Sequence, residues 1–176
     1  MTIAVHPGQR ALMIELGIPE NYGSDPLLPI YAEAINLVEA GPNIVGRIQS
    51  LTTGTAAAWQ GMLRSIQDEE IELVMVSGFR SMEYQADLIR NKLAAGQAIS
   101  EILQVNVAPG YSQHHTGNAI DIATPGYKPL LEEFENSPAF AWLKEHAGRF
   151  GFTLSYPRNN SEGIAYEPWH WYRMEI

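Results

Sequence analysis

The chain of 176 residues contains no cysteine, and that absence narrows its structural options more than any other feature. Without thiols there is no disulfide framework and no thiolate metal site. An apolar core must therefore hold the fold, and any metal must sit on His, Asp or Glu. The fold is equally indifferent to the redox state of its compartment. With 45% hydrophobic residues the chain can bury one real core, and its length falls in the range of a single domain. No stretch approaches the roughly 18 uninterrupted apolar residues of a spanning helix, so the chain is expected not to cross a membrane. Acids outnumber bases 20 to 11, which argues against nucleic acid as a partner, since phosphate binding needs a basic surface.

Residues 1–46 are rich in turn formers, among them Pro7, Gly8, Gly17, Pro19, Gly23, Pro26, Pro29, Gly41 and Pro42. They read as an N-terminal extension packed on a core, with one short helix predicted over 30–40. Residues 47–176 are then expected to form the main domain. Apolar positions Ile48, Leu51, Ala58, Trp59, Met62, Leu63 and Ile66 suggest a helix from Arg47, although Gly54 and the threonines weaken its first half. A strand is predicted over 71–76, ending at Ser77-Gly78, followed by a helix capped by Ser81 and stopped at Gly96. After a loop through Pro109-Gly110, residues 118–123 alternate as a strand. Phe140, Leu143, Ala147 and Phe150 give a helix over 138–149. Two short strands over 152–156 and 169–173 close the chain around a polar loop.

Two clusters carry chemistry. The first is Ser112-Gln-His114-His115-Thr-Gly117-Asn-Ala119-Ile-Asp121. On a strand, Asp121 shares a face with the small Ala119 and Ala123, where a metal would have room, while Ile120 and Ile122 face a core. Histidines in a solvated loop beside an edge carboxylate fit the same residues. The second cluster is Tyr166-Glu167-Pro168-Trp169-His170-Trp171. A regular strand would set Glu167 and His170 on opposite faces, so the two can meet one metal only if the chain bends at Pro168. An aromatic packing strand with one satisfied histidine is the alternative.

Taken together, the clusters offer two His, one Asp and a spare Glu, a set that suits catalytic zinc with three ligands and an open position. Zinc lowers the pKa of a bound water to about 7, and a nearby carboxylate can remove a proton as that water attacks a polarised carbonyl. His6 and His146 have no companions in sequence, whereas His115 competes with His114. Arg80, at a strand-to-helix turn, offers a guanidinium fork for a carboxylate; an ion pair with Glu83 is the competing reading. Trp59, Trp142 and Trp171 read as packing residues.

The pattern Ser112-x-His114-x-x-Gly117-x-Ala119-x-Asp121 followed by Glu167-x-Trp169-His170 resembles the paired signature of the VanY-type D-alanyl-D-alanine carboxypeptidases and related peptidoglycan peptidases. Ser77-Gly-Phe-Arg80-Ser81 with Tyr84-Gln85, and the tail 151–157, are similar to that family too, so the resemblance covers roughly 73–173. It implies zinc, one per chain, on His114, Asp121 and His170, which resolves the choice between His114 and His115. It also implies Glu167 as general base, and Arg80 as substrate-binding arginine with Gln85, Ser112 and Trp169 beside it. The implied fold is α+β, a small antiparallel sheet with helices packed on it around a single zinc site.

The function implied is removal of a C-terminal D-Ala from the peptidoglycan stem peptide. A dipeptidase, an endopeptidase or a carboxypeptidase for shortened stems would share the motifs. A zinc-stabilised module that binds wall peptides without cutting them would have no need of Glu167. Wall chemistry points to the cell envelope or periplasm, but Met1–Gly8 has neither the basic start nor the apolar run of a secretory leader, and the cytoplasm stays open. Oligomeric state has no signature here.

Overall fold

The computed structural model describes residues 7–174; His6, and most of the stretch read for a leader, lie outside them. Among the described residues there are five α-helices and two small antiparallel sheets, the α+β architecture expected. The larger sheet comprises β3 (Val74–Ser77), β4 (Ala119–Ala123), β5 (Phe152–Leu154) and β6 (His170–Arg173), in the order β3-β4-β6-β5. All of β4 is buried. Its alternation sends Ile120 and Ile122 into an apolar core with Met75, Phe152 and Trp171, leaving Asp121 on the other face.

Two helices close that core. Helix α2 (Thr53–Ser65) contributes Ala56, Trp59 and Met62, and α5 (Pro138–His146) contributes Phe140, Trp142 and Leu143. Helix α5 starts as its sequence demands, with Ser137 accepting from the Phe140 N–H and Pro138 in the first turn. The first half of the helix expected from Arg47 is instead a strand, β2 (Ile48–Thr52). It pairs with β1 (Leu37–Pro42) in a hairpin, and Thr52 caps α2 by accepting from the Thr55 N–H. The division placed after residue 46 thus falls in the turn of this hairpin, where Asn43 Oδ1 accepts from the Val45 and Arg47 N–H groups.

A second apolar cluster joins α1 (Pro7–Glu15), α3 (Met82–Ala94) and α4 (Ile99–Val105) through Met13, Leu16, Ala86, Ile89, Ile102 and Tyr111. Helix α3 begins at Ser81, whose side chain accepts from the Tyr84 N–H. Neither α1 nor α4 was read from the sequence, and the helix expected over 30–40 does not form. In its place the chain runs extended, because its backbone is engaged elsewhere: Tyr31 N–H donates to Gly110 O (2.7 Å) and Ala34 N–H to His115 O (2.8 Å). These bonds lace the N-terminal segment onto the loop that carries the histidines.

Candidate metal centre

The register of the large sheet builds most of this site. Asp121 on β4 lies opposite His170 on β6 and opposite Ser77 on β3, and directly opposed residues share a face. His114 arrives from the single 3₁₀ turn Gln113–Thr116, which ends at Gly117 with φ 68°. Only glycine suits that position, because a Cβ would stand 2.7 Å from Leu37 Cδ2 in addition to the unfavourable φ. At the second motif, the His170 N–H donates to Glu167 O (3.1 Å). That turn through Pro168-Trp169 is the bend needed to bring Glu167 and His170 to one side.

One donor atom each from His114, Asp121 and His170 lies within 4.8 Å of the others. His114 Nδ1 donates to Gly78 O at 2.7 Å, so in the neutral ring Nε2 is a bare lone pair. That atom is buried without a hydrogen-bond partner and faces Asp121 Oδ2 at 3.2 Å. Burial, and after it the Arg80 charge, push His114 down to about 4, which keeps it neutral. Burial alone would raise the Asp121 carboxyl, but His114 and His170 outweigh it and hold the group well below the usual carboxylate range. A neutral imidazole nitrogen set against a buried carboxylate is an acceptor facing an acceptor, and a cation between them resolves the conflict. Two nitrogens and one carboxylate oxygen are a fitting donor set for zinc with an open position.

His115 has no such freedom. Its Nδ1 donates to Arg80 O at 2.6 Å and its Nε2 accepts the Gly110 N–H at 3.0 Å. Both ring nitrogens are spent on backbone, so the structure separates the adjacent histidines by their partners. His146 sits on α5 against the Trp142 ring at 4.9 Å and is not part of the His114, Asp121 and His170 cluster.

A cleft of about 340 Å³ opens onto these candidate ligands, lined among others by Arg80, Gln85, Ser112, His114, Glu167 and His170. Glu167 Oε2 lies 3.9 Å from His170 Nδ1, and burial pushes its carboxyl up to about 7. Arg80 pairs with Asp121 Oδ2 at 3.5 Å and not with Glu83, which is taken by Arg90 at 2.7 Å; Arg80 Nε is buried without a partner. Gln85 is anchored by donation from Nε2 to Val107 O (2.8 Å), leaving Oε1 buried and unpartnered. Ser112 Oγ accepts from the His114 N–H at 3.3 Å. Trp169 is absent from the cleft lining and packs against the sheet core instead.

Sequence reasoning passed over three contributors. Gln113, inside the first motif, places Oε1 2.9 Å from His170 Nε2. Tyr156 stacks on the His170 ring at 4.8 Å. Residues 19–28 of the N-terminal segment, including Tyr22 and Asp25, supply one stretch of the cleft lining. Only Gln113 carried a signal, its place between two residues already singled out.

The VanY family model, described as D-alanyl-D-alanine carboxypeptidase, matches residues 48–174. A D-alanyl-D-alanine carboxypeptidase of Enterococcus faecalis is 30% identical over 122 residues, 64% of this chain and 44% of that protein. The chain spans less than half the length of several curated relatives it matches. Among solved structures, the LdcB LD-carboxypeptidase superposes with a TM-score of 0.71 at 29% identity, covering 82% of this chain and 71% of that one. VanYB in complex with D-alanine-D-alanine gives 0.64 at 25% identity, covering 84% and 82%. The matched span takes in both motifs and most of the chain, and the chain belongs to the VanY D-alanyl-D-alanine carboxypeptidase family.

Proposed function

We propose that this protein is a zinc-dependent carboxypeptidase, with one zinc per chain, that removes a C-terminal D-alanine from bacterial cell-wall peptides. The observation that carries this reading is Glu167, a carboxylate raised to about 7 and set 3.9 Å from the ligand His170 in the same cleft. A module that only bound peptides would gain nothing from a buried base there. His114, Asp121 and His170 would hold the metal. Bound zinc supplies Lewis acidity, making water easier to deprotonate and a peptide carbonyl easier to attack.

The chain's own residues do the rest. Glu167 takes the proton of the attacking water and delivers it to the leaving amine, a role suited to a group titrating near neutrality. Arg80 presents a fork whose Nε is still unpaired, and it grips the C-terminal carboxylate of the substrate. Gln85 Oε1, buried and open, accepts an N–H of the peptide. Such a substrate would place the enzyme in the cell envelope or periplasm.

The test is release of D-alanine from a muramyl-type pentapeptide, as free acid and as C-terminal amide, with and without chelator. We expect turnover of the acid, loss with chelator, and collapse with the amide. Equal cleavage of acid and amide would identify an endopeptidase, and release of the intact dipeptide a dipeptidase. Metal uptake without cleavage of either would leave a binding module. The likeness to an LD-carboxypeptidase makes a tetrapeptide a necessary fourth substrate, since faster turnover of it would move the specificity to shortened stems.

A further inference from the structure

Gln113 is 7% exposed, yet it is the hub of a polar relay that ends at a metal ligand. Its Oε1 lies 2.9 Å from His170 Nε2 and accepts from Ser155 Oγ at 2.7 Å. Its Nε2 donates to the Tyr31 hydroxyl at 3.4 Å. An amide oxygen accepts through two lone pairs, so this orientation requires His170 to carry its proton on Nε2. The other ring nitrogen, Nδ1, then presents its lone pair toward Asp121 Oδ1, 3.0 Å away, and toward the cleft. Were the amide flipped, its NH₂ would donate to Nε2, the ring proton would move to Nδ1, and His170 would face Asp121 as a donor. The Ser155 and Tyr31 hydroxyls hold the two ends of the amide in place, and the orientation with Oε1 toward His170 is the one that leaves the Nδ1 lone pair free to ligate. Tyr31 lies before residue 48, outside the span matched by the family.

We propose that Gln113 is a positioning residue that selects Nδ1 as the liganding atom of His170, and that Tyr31 ties the N-terminal segment to metal affinity by holding the Gln113 amide. This rests on the reading of His114, Asp121 and His170 as metal ligands. An acceptor on the outer nitrogen of a ligating histidine fixes the tautomer and increases its basicity; losing such a partner commonly weakens metal binding about ten- to a hundred-fold.

Two measurements test this without recourse to turnover. In the zinc-loaded wild-type protein, nitrogen NMR of the imidazoles should show His170 protonated at Nε2 and coordinated through Nδ1. In chelator competition, Gln113→Leu should weaken zinc binding by about ten- to a hundred-fold; Gln113→Glu, which keeps an acceptor in place, should stay within a few-fold of wild type, and Tyr31→Phe should fall between them. Coordination of His170 through Nε2, or a Gln113→Leu protein that holds zinc as the wild type does, overturns the proposal. If Gln113→Leu does not fold, Tyr31→Phe decides in the same competition: an affinity equal to that of the wild type overturns the role given to the amide and its Tyr31 contact. A wild type that takes up no stoichiometric zinc defeats the ligand reading itself, whereas uptake unaffected by Gln113→Leu defeats only the role of the amide.

Discussion

In the sheet core four strands are locked in register by backbone hydrogen bonds, and α2 and α5 seal one face with Trp59, Phe140 and Trp142. In the helical cluster three short helices are joined by side chains such as Ile89 and Ile102, with Tyr22 and Tyr111 edge-on at 5.0 Å. Both regions line the cleft, but they contribute different things. The sheet region supplies His114, Glu167 and His170, while the helical region supplies Gln85 of α3 and the wall residues Tyr22, Leu28, Leu103 and Val107. Strand register fixes His170 opposite Asp121, and hydrogen-bonded turns fix His114 and Glu167 beside it; side chains that would bind metal must be fixed, while walls need only exclude and guide. Damage to the sheet region should therefore reach the metal, and damage to the helical region should mostly spare it.

The largest effect tests the ligands. His114→Ala should abolish stoichiometric zinc in a metal assay, whereas His115→Ala should keep it while lowering the melting temperature, since it strands the Gly110 N–H and Arg80 O groups. Zinc retained by His114→Ala and lost by His115→Ala would reverse the assignment. Next comes Glu167→Gln, which should bind zinc normally but lose about a hundred- to ten-thousand-fold in rate. An active Glu167→Gln enzyme would reassign the base.

A smaller effect bears on the two cores themselves. Ile122 and Ile102 are both fully buried, and truncation of either to Ala should cost about 2–5 kcal/mol in denaturant unfolding. Only Ile122 neighbours Asp121 on β4, so only Ile122→Ala should weaken zinc in chelator competition. Equal loss of metal affinity in Ile102→Ala would mean that the two regions are mechanically one.

The same contrast explains what could be read in the sequence. Alternation around Asp121, the Ser81 cap and the glycine at 117 act over a few residues, so the four strands of the larger sheet, α3 and the ligand motifs were legible, while β1 and β2 were not. Helix α4 is only seven residues long, too short for a convincing periodicity. The stretch 30–40 reads locally as a short helix between turn formers, but the loop at Gly110 and His115 claims its backbone, a long-range bond that no local pattern reports. Trp169 was placed in the substrate site by resemblance, while its ring packs on the sheet core. The bend at Pro168 that turns Glu167 and His170 to one side was anticipated because the odd separation of those two residues demanded it.

The smallest effect concerns pH and the metal-free protein. Glu167 titrates at about 7 in the fold against an ordinary 4.5. Between those values the folded state holds a proton that the unfolded state has lost, so stability falls as pH rises through that window. His114 works the other way. Buried and lowered from 6.5 to about 4, it is neutral in the fold where the unfolded chain is protonated, so its contribution rises as pH climbs from about 4 to 6.5. Each shift corresponds to roughly 3 kcal/mol at most. Because the windows overlap and the signs oppose, the wild type with chelator present should show a nearly flat unfolding free energy between pH 4.5 and 6.5 as far as these two groups decide it. Glu167→Gln removes one side of the balance. Its stability should climb relative to wild type across the window and level off above pH 7, the gain matching what the buried carboxylate had cost. A constant offset between the two proteins from pH 4.5 to 7.5 would show that Glu167 titrates as an ordinary carboxyl, and the case for it as a neutral-pH base would then rest on geometry alone.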